Sequence, residues 1–335
     1  MISPALSTTQ AVSTWLTTAV SPRVLHVFER VCNLVDGERR VLSLVAPEIG
    51  RGPFSLVMAL GNGRFTDFIQ ADSQVFPQPH ELHLQVGALA VDTSAAQVWN
   101  PRPFWESIPP SAIQTCLPLF EGKLAASSPD SLAHFNGHFD KLSAGRFDAT
   151  AQKVKTAVHT LQLGLENGDL AACEEGAQNL AGLGVGLTPA GDDFLLGTIY
   201  GLWLKNDGAA KFQKIGAACR GGSRTAPTSG VGQSKNSYHK LPETQRMIEA
   251  IAETAAARTT TLSAAWLRAA ARGEAGEPWH VLVTALRDSG ETATSTRSMS
   301  AVSQAIDRIL ATGHTSGADA LAGFVWGIRC VMRDA

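Results

Sequence analysis

The first half of the chain alternates short apolar runs with glycine, proline, asparagine and aspartate. The runs VLSLVAP, PFSLVMAL, RFTDFIQ, ELHLQV and ALAVDTS follow one another from Arg39 onward. Short runs of this kind, alternating or rich in β-branched residues and separated by turn formers, are typical of β-strands. The pattern predicts a β-rich N-terminal domain, preceded by a short amphipathic helix within residues 1–22.

The second half of the chain has apolar residues at helical spacing. In AQKVKTAVHTLQLGLENG, the apolar positions Val154, Val158, Leu161 and Leu165 recur every three or four residues. TQRMIEAIAETAAA, SAAWLRAAARGE, WHVLVTALRDSG and SAVSQAIDRILATG are further predicted helices with recognisable stops at glycine. We therefore predict an α+β protein, with a β-rich domain over residues 1–140 and a mostly α-helical domain over residues 141–335.

The composition narrows the class of protein. The net charge is -2 and no basic stripe is present, so a nucleic-acid partner is not expected. The five cysteines are scattered and lack CxxC spacing, and no stretch approaches the roughly 18 apolar residues of a membrane span. A cytoplasmic location is expected. Charged residues make up only 17% of the chain, which favours burial in a large core or in contacts with partner subunits or other copies of the chain.

Two segments that are far apart in the chain share a pattern of glycine, aspartate and leucine. The first is GVGLTPAGDDFLLGTIYGL and the second is TGHTSGADALAGFVWGI. When Gly191 is aligned with Gly317, Asp193 matches Asp319, and later leucines and glycines also coincide. We call the residues that precede each predicted helix the first and the second glycine loop.

The glycine loops have the chemistry of an anion-binding site. Glycines permit backbone conformations that other residues avoid, and the first turn of a helix carries free N–H groups and partial positive charge. The first of these helices is predicted to begin near Ala190. The residues predicted to contact a phosphate, carboxylate or carbamoyl oxygen are Gly184, Gly186, Thr188, Gly191, Thr315, Ser316 and Gly317.

The aspartates of the loops have three interpretations. They could cap the helix, hold Mg²⁺ that bridges to an anionic substrate, or accept hydrogen bonds from an amide or ureido NH₂ group. Asp192 and Asp193 are the candidate magnesium ligands. His314 is either a capping or core residue or an acid, base or anion donor. The candidate catalytic residues are Asp192, Asp193, His314 and Asp319.

Small residues follow each aspartate at intervals of four. Asp193, Gly197 and Gly201 therefore lie on one helix face, and the second segment repeats this arrangement. Glycines at this spacing let another helix approach closely. We predict that the two helices pack together and place both loops around one site.

Other motifs are weaker. Arg258, Thr259, Thr260 and Ser263 open a predicted helix, either as a simple cap or as a clamp for a carboxylate or phosphate. The polar segment from Gly221 to Lys240 is a surface loop or a lid over a ligand. A metal site is a minor alternative for a histidine pair with four-residue spacing. These histidines are His134 and His138.

The core GLGVGLTPAGDDFLLG, the cluster ARTTTLS and the terminal TGHTSGADALAG, in this order, resemble the AllH-like family. Asn33, the run VLSLV and the pair Gly52-Pro53 fit its N-terminal pattern more loosely. The resemblance implies a subunit of oxamate carbamoyltransferase, which in anaerobic allantoin breakdown (purine catabolism) moves the carbamoyl group of oxalurate to phosphate. The products are oxamate and carbamoyl phosphate. The implied partners are an acyl-CoA-synthetase-like subunit and a second subunit.

Three functions therefore stay open. The first is an enzyme or enzyme subunit of carbamoyl, acyl or phosphoryl transfer, acting on a small anionic ureido or amide substrate and phosphate. In it the loop hydroxyls would contact anions, the three aspartates would orient ureido nitrogens or Mg²⁺, and His314 would stabilise developing charge. The second is a non-catalytic subunit that binds a ligand or supports an assembly. The third is a stand-alone enzyme that depends on phosphate or a nucleotide.

Overall fold

Among the described residues, strands fill the N-terminal part of the protein and the C-terminal part is mostly helical, which confirms the predicted α+β class. The histidine pair His134 and His138, the segment 221–240 and the predicted domain boundary at residue 140 lie outside the described residues. The computed structural model describes residues 2–78, 83–127, 131–132, 148–205, 243–291 and 296–332.

The N-terminal domain is one nine-stranded sheet with a single α-helix, α1, after its first strand. Short strands separated by tight turns follow from the alternation of β-branched residues with turn formers. The elements are β1 (Ile2–Thr8), α1 (Gln10–Thr18), β2 (Arg23–Val27), β3 (Val31–Val35), β4 (Val41–Val45), β5 (Ser55–Met58), β6 (Val75–Gln78), β7 (His83–Val86), β8 (Leu89–Asp92) and β9 (Gln97–Val98).

The sheet curls into a barrel-like shape. Its strand order is β2-β3-β4-β5-β1-β8-β7-β6, and β9 pairs with β1. An isolated bridge between Arg23 and Gln74 brings the two ends of this order together. The strand side chains that face inward form one apolar core, which α1 covers with Val12 and Trp15. This domain is therefore held by its own core.

One sequence prediction for this domain is confirmed only in part, and another is wrong. A helix does form within residues 1–22, as α1 (Gln10–Thr18), but residues 2–8 form β1, because they alternate between buried and exposed positions and pair with β5 and β8. The run RFTDFIQ was predicted to be a strand, but Phe65–Asp67 form a 3-10 turn. The Asp67 carboxylate accepts a hydrogen bond from the backbone N–H of Arg64 at 2.8 Å, and this local bond replaces strand pairing.

Helices form the rest of the described chain. Among them, α5 and α10 occupy the centre, since α10 is buried at every position from 317 to 328 and α5 nearly throughout. No described helix combines the length and the apolar character needed to cross a membrane. The helices are α2 (Pro110–Ala125), α3 (Asp148–Asn167), α4 (Leu170–Leu180), α5 (Ala190–Leu202), α6 (Glu243–Ala256), α7 (Thr261–Ala271), α8 (Glu277–Glu291), α9 (Thr296–Leu310) and α10 (Ser316–Met332).

Candidate functional site

The two central helices touch through the glycines of the repeated segments. A Cβ atom on Gly197 of α5 would meet the carbonyl oxygen of Ala320 on α10. In return, a Cβ atom on Gly323 of α10 would meet the carbonyl oxygen of Phe194 on α5. Only a residue without a side chain allows the backbones to approach so closely. The predicted packing of the two helices is therefore present.

A second pair of glycines repeats the contact one turn later. A Cβ atom on Gly201 would lie 2.8 Å from the carbonyl oxygen of Phe324, and one on Gly327 would lie 2.8 Å from that of Thr198. From the first pair of contacts to the second, the residue numbers increase along both helices, so the two helices run parallel. Because each contact has a reciprocal one, a local two-fold axis relates the helices. Their positive N-terminal ends therefore lie side by side, each with roughly half a positive charge.

The two glycine loops meet at this end of the helix pair. The hydroxyl oxygens of Thr188 and Ser316 are 3.1 Å apart, although the residues belong to different loops. The Thr188 hydroxyl also donates a hydrogen bond to Oδ2 of Asp193 at 3.1 Å. These hydroxyl groups thus connect Ser316 of the second loop to Asp193. The two glycine loops therefore meet at one shared site.

Asp193 is an acid that holds its proton near neutral pH. Its residue is only 6% exposed, and burial raises the pKa of its carboxyl group to about 8. The hydroxyls of Ser316 and Thr188 lower this pKa, whereas the charges of Asp319 and Asp192 add to the rise. A protonated carboxyl group at this position can donate a proton or a hydrogen bond.

The two carboxylate oxygens of Asp319 differ in their hydrogen bonds to the described part of the chain. Its Oδ1 accepts hydrogen bonds from the Ser131 hydroxyl at 2.7 Å and from the Leu132 N–H at 2.6 Å. Its Oδ2 is buried and has no hydrogen-bond partner among the described residues. Burial raises the pKa of this carboxyl group as well. A buried carboxylate oxygen without a hydrogen bond lowers the stability of the fold. It therefore marks a position where a ligand can donate a hydrogen bond.

Asp192 turns away from this place. Its carboxylate accepts hydrogen bonds from the Gly182 N–H at 2.8 Å and from the Thr259 hydroxyl. The buried Ser263 hydroxyl lies close enough to lower the pKa of Asp192, which burial raises. Consecutive helix residues point about 100° apart, so Asp192 and Asp193 have different partners. Asp192 thus fastens the first loop to the start of α7.

Two parts of the chain match models of known protein families. Residues 180–328 match the family AllH, described as the oxamate carbamoyltransferase subunit AllH. Residues 4–98 match the AllH family N-terminal domain.

The chain belongs to the AllH family. The first match contains both glycine loops, α5 and most of α10, and the second covers nearly all of the barrel-like sheet. No curated protein matches the chain, and no solved structure does.

Several backbone N–H groups of the AllH glycine loops are already bonded within the protein. The N–H of Gly191 donates to Leu183 O at 2.9 Å, and that of Gly317 donates to Thr312 O at 3.0 Å. The N–H of Asp193 donates to Pro189 O at 3.1 Å. A ligand would therefore meet mainly side chains here, rather than the free helix N–H groups on which the anion prediction was based.

The remaining predicted residues lie in the two loops and just before α7. His314 is exposed, and Gly184 and Gly186 have φ angles of 113° and 109° in the exposed first loop. The Arg258 guanidinium lies against the side-chain amide of Gln178, whose oxygen accepts from Arg258 Nε at 3.0 Å when the amide is turned so that this oxygen faces the arginine. Thr260 caps α7 and donates a hydrogen bond to the first loop at 2.8 Å.

Thr315 precedes α10, and its side chain lowers the pKa of Asp319. No group of three or more histidine, cysteine, aspartate or glutamate residues that could hold a metal occurs in the described parts of the chain. Magnesium on Asp192 and Asp193 stays a prediction, and their divergent partners do not add support to it.

Ser131 was not predicted from the sequence. It is 2% exposed, belongs to neither loop, and lies 188 residues before the aspartate that it contacts. A lone serine outside any periodic pattern gives no signal of its own. Its role follows only from the fold, which brings residues 131–132 to the start of α10.

The buried proton of Asp193 predicts a specific dependence of stability on pH. The ordinary pKa of the group is 3.8 and the folded value is about 8, so folding takes up a proton between these pH values. This contribution to stability is fully present below about pH 4 and is lost as the pH rises toward 8. Urea unfolding between pH 5 and 8 should show the wild type losing up to about 1.4 kcal/mol per pH unit relative to Asp193→Asn.

Asp72→Asn is the matched control for this measurement, because Asp72 is exposed on the β-rich domain. Its stability should follow that of the wild type at every pH. Equal pH slopes for the wild type and Asp193→Asn would show that Asp193 is ionised in the folded protein, contrary to the prediction.

Proposed function

We propose that this protein is a subunit of a carbamoyltransferase that transfers a carbamoyl group between a ureido nitrogen and phosphate. Oδ2 of buried Asp319 carries the proposal, because it has no hydrogen-bond partner among the described residues and so calls for a donor where the two glycine loops meet. A ureido NH₂ group is such a donor. The family description, oxamate carbamoyltransferase subunit AllH, supports the same reaction class.

Oxalurate fits the chemistry of the site. Its ureido end carries N–H groups that can donate to Asp319 Oδ2, and its other end carries a carboxylate. Each of the Thr188 and Ser316 hydroxyls has one hydrogen, so either can donate to a carboxylate or phosphate oxygen by turning away from its partner within the loops. The paired positive ends of α5 and α10 favour negative charge in the same region. The site thus offers an acceptor for one end of the substrate and positive potential for the other.

The transfer forms one bond and breaks one bond. An oxygen of hydrogen phosphate attacks the ureido carbonyl carbon of oxalurate, and the bond from this carbon to the oxamate nitrogen breaks. Carbamoyl phosphate and oxamate result, and the proton of the phosphate ends on the oxamate nitrogen. In our proposal, protonated Asp193 gives its proton to the leaving nitrogen and recovers one from the attacking phosphate. Ser316 and Thr188 position this carboxyl group.

Binding of oxalurate tests the proposal. Isothermal titration of the full chain, alone and with its partner subunits, should give an affinity about tenfold or more weaker for Asp319→Asn than for the wild type. The amide can present an NH₂ group, which repels the substrate N–H. Ser131→Ala should weaken binding less, because it loosens Asp319 but keeps its charge.

Asp72→Asn again serves as the control and should bind oxalurate as the wild type does. Unchanged oxalurate affinity in Asp319→Asn would contradict the assignment of the site. Normal binding without any carbamoyl phosphate formation by the complete assembly would instead favour a ligand-binding subunit without chemistry.

A further inference from the structure

A cleft lies between the β-rich domain and the helices α8 and α9. Its volume is about 410 Å³, within the range of roughly 300–1,000 Å³ that is usual for small-molecule sites. Small or aliphatic side chains of α8 and α9 line its length, and arginine side chains of the sheet domain and of α9 line it as well. The lining residues used below are Arg51, Trp99, Val281, Ala285, Ala301 and Arg308.

We propose that this cleft binds a small organic anion. Its carboxylate or phosphate group lies between Arg51 and Arg308, and its uncharged body lies along Val281, Ala285 and Ala301. This site is separate from the glycine loops, and it rests on different residues from the proposed carbamoyl transfer.

Arg51 is held in place before any ligand binds. Its Nη2 and Nε atoms donate to Glu277 at 2.8 and 3.1 Å, and its guanidinium lies 5.3 Å from the centre of the Trp99 ring. Trp99 in turn packs against His280, whose Nε2 atom lies 3.1 Å from Pro101 O. A fixed arginine loses little conformational freedom when a ligand binds, and its Nη1 makes no bond to a described residue.

Arg308 supplies the uncompensated charge. It is exposed, and its guanidinium forms no ion pair or hydrogen bond within the described part of the chain. The charge of Glu277 is matched by Arg51. Burial lowers the pKa of His280, so this ring is neutral near pH 7. Asp288 is three turns from Glu277, about 16 Å along α8, and pairs with Arg287. The side chains that line the cleft therefore leave it with a net positive charge.

Four small probes test this site on the full chain by isothermal titration. Benzoate and phenyl phosphate combine an apolar body with an anion, benzamide has the shape of benzoate without its charge, and inorganic phosphate lacks the body. We expect saturable binding of benzoate or phenyl phosphate, and about tenfold weaker binding of benzamide and inorganic phosphate. Whether benzoate or phenyl phosphate binds more tightly distinguishes a carboxylate ligand from a phosphate ligand.

Two substitutions locate the binding. Arg308→Gln should weaken binding of the organic anion about tenfold or more, because it removes the free charge. Ala301→Leu should also block binding, because Ala301 is exposed in the cleft and a larger side chain fills it without entering the core. Arg23→Gln is the control, since Arg23 is an exposed arginine of β2, and it should bind as the wild type does.

Either of two results would overturn the proposal. One is the absence of saturable binding of all four probes at millimolar concentration. The other is binding that persists in both Arg308→Gln and Ala301→Leu, especially if Asp319→Asn abolishes it, because the anion would then occupy the glycine loops. If oxalurate fails to bind at the glycine loops, the proposal for this cleft is not affected, because the cleft and the glycine loops share no residue.

Discussion

Gly197→Ala is expected to lower the free energy of unfolding by about 3 kcal/mol. The added methyl group would meet the carbonyl oxygen of Ala320, which belongs to the backbone of α10 and cannot rotate away. The two central helices would have to separate, and their buried contacts would loosen along the whole interface. Urea unfolding, followed by circular dichroism, measures this loss, and Gly323→Ala should behave alike because it faces Phe194 in the reciprocal contact.

Gly122→Ala provides a matched control within α2. A Cβ atom at Gly122 would have nothing within 4 Å, so alanine should raise the stability by about 0.5–1 kcal/mol through its better helix propensity. A wild-type stability for Gly197→Ala would mean that the helices do not approach through this glycine. The shared place between the loops would then lose its structural basis.

Asp193→Asn is expected to reduce turnover by about 10²- to 10⁴-fold in the complete enzyme with its partner subunits. The amide keeps the shape of the side chain but cannot give a proton to the leaving nitrogen. Formation of carbamoyl phosphate from oxalurate and phosphate measures the rate, and titration measures binding separately. Oxalurate affinity should change little compared with the loss in kcat.

The pH profile separates a catalytic role of Asp193 from a structural one. Wild-type kcat should fall as the pH rises above about 8, because Asp193 then loses its proton. The residual activity of Asp193→Asn should lack this fall, whereas Asp72→Asn should keep both the rate and the profile. Equal kcat values for the wild type and Asp193→Asn would exclude Asp193 as the proton donor.

The close approach of α5 and α10 was predictable from the sequence. Glycines at intervals of four place a strip without side chains on one face of each helix, and close contact with another helix backbone is the packing that best buries such a face. The repeat also predicted that Asp193 and Asp319 serve one place. The run RFTDFIQ shows the limit, because a local bond from Arg64 to Asp67 overrides its strand-like composition.

The contacts that finish the site depend on the fold. Asp192 and Asp193 are adjacent in the sequence, yet the rotation of the helix sends Asp192 toward Thr259 and Asp193 toward Thr188. Ser131 reaches Asp319 across 188 residues, and no local pattern marks it. The free N–H groups expected at the loops are mostly bonded, because each loop turns back on itself.

The local two-fold axis between α5 and α10 has a consequence for molecular recognition. A molecule on this axis meets the same backbone from both sides, but it meets different side chains, since Thr188 aligns with His314 and Ser316 with Ala190. The helix backbones around the site are therefore symmetric, whereas the side chains on the two sides differ. Such an arrangement is suited to a short substrate with two unlike ends, each of which is distinguished by the half that faces it.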